Sequence, residues 1–331
     1  MLPRPVLKKS FSIAGRVLSI VTFDEWSSEA FSSLVDGWLV HPLENRNGVA
    51  DATFKLTAGV EPPDIPPGLP HFDISDAGIC YTDRKTFYLQ FGTSVVKFDE
   101  SPEVNLWIHD PEALDATMLA RVLSQGFSAA LRRCGLFELH SAAVVPPGET
   151  DALLIAGASG SGKSTLTAKL AAAGWSYLSD DTLLLRNSIN IEAITLRQFF
   201  ALTPATMAML PAIQPTLPRD RRKERFTPQD FFSGPQIECA KPSVLLFSKV
   251  TGDSATRLAK LSPAETMSRL LKFCPWASYD SNSAGAHLSL LGRLAREATG
   301  FDMLAGTDLL HDSQFAAEFI YQAYSRSNAA A

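Results

Sequence analysis

The chain has 331 residues, 46% of them hydrophobic and 20% charged, a length that suits two domains better than one and a composition too apolar for disorder. Lys and Arg number 30 against 35 Asp and Glu, a net charge of -5, which argues against a protein that coats nucleic acid. The acidic excess lies wholly in residues 1–135, with 12 basic and 17 acidic side chains, while residues 136–331 hold 18 of each.

The first hundred residues read as β-rich. Basic residues precede an apolar run at Phe11–Phe23, but Arg16 interrupts it and the pattern alternates, which suits a strand rather than a signal sequence. Further strand-like segments are Ala52–Thr57, Gly78–Thr82, Thr86–Phe91, Ser94–Phe98 and Val104–Ile108, with Asp83-Arg84-Lys85 as a turn between two of them. The proline-rich stretch Glu61–Pro70 lacks regular backbone donors and should be an extended surface loop. A helix should follow. Asp110 can cap it, Pro111 suits its first turn, and Leu114, Met118, Val122, Leu123, Phe127 and Leu131 form one face before Gly135.

From Leu136 the pattern changes. Leu139–Val145 and Ala152–Ala156 read as strands joined through Pro146-Pro147-Gly148, a connection short enough for an antiparallel hairpin and too short for a crossover. Further on, Ser262-Pro263-Ala264-Glu265 is a capping box opening a helix to about Phe273, and helices are expected over Gly285–Thr299 and Asp312–Ser325.

Between the hairpin and these helices lies the segment richest in chemistry. Gly157-Ala158-Ser159-Gly160-Ser161-Gly162-Lys163-Ser164 fits GxxxxGK[ST], with a strand before it and an Ala/Leu-rich helix, Lys163–Ala173, after it. Glycines let backbone N–H groups turn inward around phosphate oxygens, and a helix N-terminus adds its positive dipole end. Gly157 through Thr165 are therefore the expected nucleotide-binding residues, with Lys163 as a point charge on the β- and γ-phosphates and the Ser164 hydroxyl as a Mg²⁺ ligand. The carboxylates of Asp180 and Asp181 leave a short strand 17 residues after Lys163. An acidic pair there permits one to hold metal and the other to accept a proton from an attacking hydroxyl. Adjacent strand residues point to opposite faces, so both roles together require an irregular strand end. His140, 23 residues before Lys163, opens the hairpin that should bring it near the phosphates.

His140-Ser141-Ala142-Ala143, the GASGSGKS loop and Leu178-Ser179-Asp180-Asp181 together resemble the C-terminal domain of the HPr serine kinase/phosphorylase family, and the phosphoenolpyruvate carboxykinases more distantly. The chain is similar to HPr-kinase-related proteins of peptide-modifying systems, including lasso peptide kinases. That resemblance implies an α/β P-loop kinase domain of carboxykinase-like type with a mixed sheet. It further implies ATP- and Mg²⁺-dependent transfer to a hydroxyl, commonly a serine of a peptide or protein. By the same resemblance Asp180 is the base, Asp181 the acid near the metal, and His140 the histidine near the phosphates. The two acids could exchange roles. The expected organisation is a smaller β-rich α+β domain over residues 1–109, suited to acceptor recognition, a connecting helix over 110–135, and the kinase domain over 136–331.

The run Arg219-Asp220-Arg221-Arg222-Lys223-Glu224-Arg225 is densely basic. Prolines around it favour a loop, and Arg222, Lys223 and Arg225 are its candidates for meeting ATP or an anionic acceptor. Asp280-Ser281-Asn282-Ser283 reads as a polar loop without a role. Cys80, Cys134, Cys239 and Cys274 lack the spacing of a metal site or a disulfide framework, and no run of 18 apolar residues suggests a membrane span. A cytoplasmic protein without nucleic-acid or membrane partners is expected, with homo-oligomerisation left open. Beside the peptide or protein kinase reading stand a small-molecule kinase, an NTPase that drives a partner, and a nucleotide-sensing regulator.

Overall fold

The apolar run at Phe11–Phe23 is two strands rather than one. In the computed structural model, which describes residues 5–43, 49–74, 78–210, 212–220 and 223–328, β1 (Leu7–Ile13) and β2 (Arg16–Thr22) pair antiparallel. Ala14 and Gly15 join them with φ of 51° and 74°, and a two-residue turn with both φ positive matches the right-handed twist of the strands it links. The chain is mixed α/β, and it divides into two units, Met1–Phe137 with Trp276–Ala286, and Glu138–Pro275 with His287–Ala331.

In the first unit α1 (Glu25–Val35) follows β2, and then come β3 (His41–Leu43), β4 (Ala52–Ala58), β5 (His71–Asp73), β6 (Ile79–Thr82), β7 (Phe87–Phe91), β8 (Ser94–Phe98) and β9 (Glu103–Ile108). These form a nine-stranded sheet in the order β3-β1-β2-β4-β9-β8-β7-β6-β5. Its centre, β2-β4-β9, is parallel, and β9 through β5 run as an antiparallel meander. The helix expected over 110–135 is α2 (Ala116–Arg133), capped by Asp115, whose Oδ1 accepts from Met118 N at 2.8 Å. Asp110 caps only a preceding turn, accepting from Ala113 N at 3.3 Å. The helix belongs to the first unit and packs on β4, β8 and β9 of its sheet. Gly126 allows the close approach, since a Cβ there would stand 2.7 Å from the Phe54 ring.

The segment Trp276–Ala286 also belongs to this unit. Asp280, expected to be idle, is fully buried and accepts from Arg132 Nε and Arg133 Nη1, each at 2.9 Å. The Arg132 guanidinium also lies 4.5 Å from the Trp276 ring centroid. Burial alone would raise the Asp280 carboxyl, but the two guanidinium groups outweigh it and hold it below the usual carboxylate range. Breaking a buried pair of this kind strands an uncompensated charge, which explains why a polar-looking segment sits in a core.

The second unit begins with β10 (Leu136–Leu139), β11 (Ser141–Val145), β12 (Ala152–Ala156), α3 (Lys163–Ala172), β13 (Ser176–Ser179), β14 (Leu183–Asn187), β15 (Ile191–Thr195), β16 (Phe200–Leu202) and α4 (Pro204–Ala208). It continues with β17 (Leu217–Asp220), β18 (Lys223–Phe226), β19 (Cys239–Ala240), β20 (Pro242–Val250), β21 (Arg257–Lys260), α5 (Pro263–Leu271), α6 (Trp276–Tyr279), α7 (Ser281–Glu297), β22 (Thr299–Ala305), α8 (Asp308–His311) and α9 (Ser313–Asn328), of which α6 and the start of α7 lie in the first unit. The main sheet is mixed, in the order β13-β11-β12-β20-β22-β21. β11 and β12 pair antiparallel, while β12, β20 and β22 are parallel; β12 and the Val244–Phe247 stretch of β20 are apolar and buried, as central strands covered on both faces must be. Two smaller sheets, β10-β14-β15-β19 and β16-β18-β17, complete the unit. The basic run 219–225 is not a plain loop, because it spans parts of β17 and β18. Of its residues, Arg221 and Arg222 lie outside those described. Among the described residues no helix is long and apolar enough to cross a membrane.

Candidate functional site

The glycine-rich segment leaves β12 at Ala156 and enters α3 at Lys163. Gly160 and Gly162 take φ of 80° and 88°, a region that L side chains rarely occupy. Gly162 is the N-cap of α3 and offers no side chain to the first amides, so the helix N-terminus keeps its donors for another acceptor. Gly157 is needed for space. A Cβ there would come within 2.3 Å of Ser161 Oγ and 2.6 Å of the Ser248 carbonyl oxygen. The loop is pinned from β20, where Ser248 Oγ donates to the Ser161 carbonyl at 2.7 Å. Lys163 folds back over the loop and donates from Nζ to the Gly157 and Ala158 carbonyls at 2.7 and 3.2 Å. Burial holds its ammonium below the ordinary lysine value.

A cavity of about 570 Å³ opens beside this loop. Ser159 through Leu166 line it, with His140, Asp181, Thr203, Thr206 and Lys223 from neighbouring elements, and Met303 and Leu309 among its apolar wall. Gly157 and Ala158 shape the loop without lining the cavity. Thr165 Oγ1 lies 2.8 Å from Thr206 Oγ1, joining α3 to α4, and Ser164 Oγ donates to the Asp180 carbonyl at 3.2 Å.

The acid pair lies past the end of β13 and its two carboxylates diverge. Asp180 is 1% exposed, and its Oδ2 accepts from Ala201 N on β16 at 3.2 Å. Asp181 instead lines the cavity. Its Oδ2 stands 3.3 Å from Arg197 Nη1, and its Oδ1 stands 3.6 Å from His140 Nδ1, the latter beyond hydrogen-bond length. Burial first, and the Asp181 charge second, push the Asp180 carboxyl up to about 6. Burial also acts upward on Asp181, but His140, Arg197, Lys223 and Lys163 outweigh it and hold that carboxyl below the usual range. Burial lowers the His140 imidazole from its ordinary value, against the pull of Asp181.

The raised Asp180 carboxyl has a measurable consequence. A carboxyl raised in the folded state contributes stability only while protonated, and that contribution is lost as pH rises through about 6. Asp180→Asn removes the cost of burying the charge. The variant should melt higher than the parent at pH 8, by on the order of 2 kcal/mol in unfolding free energy, and the gap should close towards pH 4. Thermal melts across that range decide it, and a gap independent of pH contradicts the assignment.

Arg197 and the Thr203–Thr206 pair had no signal in the sequence. The flank of β16 carries Thr203 and Thr206 to the cavity, and Arg197, just before β16, reaches Asp181 at its edge. Among the described residues no group of three or more His, Cys, Asp or Glu side chains is placed to hold a metal ion. No protein-family model matches the sequence, and no curated protein does. Among solved structures, the HPr(Ser) kinase/phosphatase from Coxiella burnetii is similar at a TM-score of 0.31 and 9% identity, over 57% of this chain and 98% of that one. A likeness of that strength sets up no residue correspondence.

Proposed function

We propose that the chain is an ATP-dependent phosphotransferase that moves the γ-phosphoryl group to a hydroxyl, in the first place a serine of a peptide or protein. One observation carries the reading: a glycine-rich loop with open helix N-terminal donors, a lysine and a cation-flanked carboxylate meet at one cavity. The loop is then a P-loop within a carboxykinase-like mixed sheet, its amides and Lys163 cradling the β- and γ-phosphates. Residues 1–109, which hold much of the acidic excess, suit recognition of a cationic acceptor peptide, and a free hydroxyl metabolite is the alternative substrate.

Proton transfer is judged by reach before acidity. Asp181 faces the cavity and Asp180 is enclosed, so Asp181 is our choice for the group that meets the acceptor hydroxyl. This exchanges the roles the family resemblance suggested. Asp180 then stays enclosed on the Ala201 amide, and the His140 ring lines the cavity beside Asp181. Mg²⁺ fits the site only together with nucleotide, because among the described residues the protein offers the Ser164 hydroxyl at the cavity and no group of three or more His, Cys, Asp or Glu side chains. A hydroxyl completed by phosphate oxygens and water suits magnesium, and the ion would supply charge neutralisation on the phosphates.

Incubation with Mg·ATP and two acceptor sets, serine peptides and free hydroxyl metabolites, tests the substrate class by mass spectrometry. A phosphoryl group appearing on peptides alone supports the reading, and one appearing on metabolites alone moves it to the small-molecule alternative.

A further inference from the structure

The densely basic run separates, once folded, into side chains with different employments. Arg219 Nε stands 3.3 Å from Glu224 Oε1. The Arg225 guanidinium lies 3.8 Å from the Phe199 ring centroid, a stacking contact. Lys223 alone of the described residues in the run reaches the cavity, alongside His140, Lys163 and Asp181.

The strand pleat explains the placement. β18 pairs antiparallel with β16 in the register Phe200↔Phe226, Ala201↔Arg225 and Leu202↔Glu224. Side chains alternate across a strand, so Phe226 and Glu224 share one face and Arg225 and Lys223 the other. Phe226 is fully buried among Phe200, Phe231 and Phe232, with ring centroids 5.6 to 6.0 Å away, which fixes the register. The same β16 that aligns β18 also supplies the Ala201 N–H that holds Asp180. One small sheet therefore holds both the enclosed Asp180 and Lys223, which lines the cavity.

The charges there are unevenly committed. Lys163 is tied to two loop carbonyls, and Arg197 is tied to Asp181. Among the side chains that the structure describes, which do not include that of Asp220, no carboxylate is paired with Lys223. Its field is nevertheless felt at Asp180, Asp181, Lys163 and His140. The other cavity lysine, Lys169, has Asp312 as its charged neighbour.

We propose that Lys223 is a catalytic residue that binds the transferring γ-phosphoryl group and neutralises its charge as the transfer proceeds. The inference rests on the phosphotransferase reading above. In that step the acceptor oxygen forms a bond to Pγ while the bond from Pγ to the β,γ-bridging oxygen breaks. The hydroxyl proton passes to the Asp181 carboxylate, and ADP leaves with the bond's electron pair. Negative charge on the equatorial oxygens meets the Lys223 ammonium, which lines the same cavity as the glycine-rich loop, and a cation held where charge develops acts most strongly.

Lys223→Met and Lys223→Arg, assayed for phosphoryl transfer to an acceptor that the wild type modifies, test this. Lys223→Met should lower kcat by roughly 10²- to 10³-fold, with the KM for ATP and the melting temperature nearly unchanged. Lys223→Arg should recover a substantial part of the loss. A kcat for Lys223→Met within about threefold of wild type overturns the inference and leaves the kinase reading intact. So does a loss seen only in KM, or a loss matched by a fall in melting temperature that Lys223→Arg does not repair. Absence of transfer by the wild type itself overturns the parent reading, and this inference with it.

Discussion

Asp181→Asn should reduce phosphoryl transfer on the order of 10³-fold, the scale of a missing general base, while leaving ATP affinity within a few-fold of wild type. The carboxylate lines the cavity, is flanked by Arg197 at 3.3 Å and His140 at 3.6 Å, and is held ionised by the surrounding cations. The amide keeps the shape and loses both the proton-accepting oxygen and the charge. Asp180→Asn is the internal control. That carboxylate is enclosed, so its amide should cost transfer less than Asp181→Asn does, while raising apo stability above about pH 6. Rates and equilibrium binding of ATP, measured for both variants, separate the two acids. A larger loss at Asp180 would return the base assignment to that residue.

Gly157→Ala should weaken nucleotide binding by roughly 10- to 100-fold, the equivalent of the strain that the new methyl creates. That methyl does not meet a soft neighbour. It comes 2.6 Å from the Ser248 carbonyl oxygen, which belongs to β20, the strand beside β12 in the main sheet. The Ser161 hydroxyl at 2.3 Å can rotate away, but the carbonyl cannot follow without moving the sheet. Overpacking of this kind costs about 1–3 kcal/mol, and if the loop absorbs the strain the cost is taken from binding at about 1.4 kcal/mol per tenfold. Gly160 offers a contrast: a Cβ there would meet nothing within 4 Å, and its demand for glycine comes from a φ of 80° alone. Titration calorimetry with Mg·ATP reads the effect, and unaltered affinity in Gly157→Ala would show that the loop tolerates displacement.

What the sequence revealed follows the range of the interactions involved. Segments such as Ser94–Phe98 and Ala152–Ala156 were legible because their apolar pattern is local and bounded by turns. The glycine-rich loop was legible because its residue types encode its own backbone. The helix α1 was not, because its serine-rich sequence buries only Ser27, Ala30 and Phe31 and is held by its Asp24 cap and the sheet beneath. The start of α2 was misplaced because Asp110 and Asp115 are equally good caps by type, and only packing selects between them. At the site, the acid pair could be located but not oriented. The orientation depends on the Ala201 amide, 21 residues beyond Asp180. Lys223 could be flagged as one cation in a run, yet its separation from Arg219 and Arg225 required the pleat of β18. Asp280, read as idle, is buried by partners 148 and 147 residues away.

The proposed activity is transfer rather than hydrolysis. The direct measurement is the ratio of phosphorylated acceptor to ADP formed when the protein turns over ATP carrying a labelled γ-phosphate. Label should appear on the acceptor hydroxyl one for one with ADP, and ADP formation should be slow without acceptor. ADP formed at an undiminished rate without acceptor, with all the label in inorganic phosphate, would contradict it and identify an NTPase.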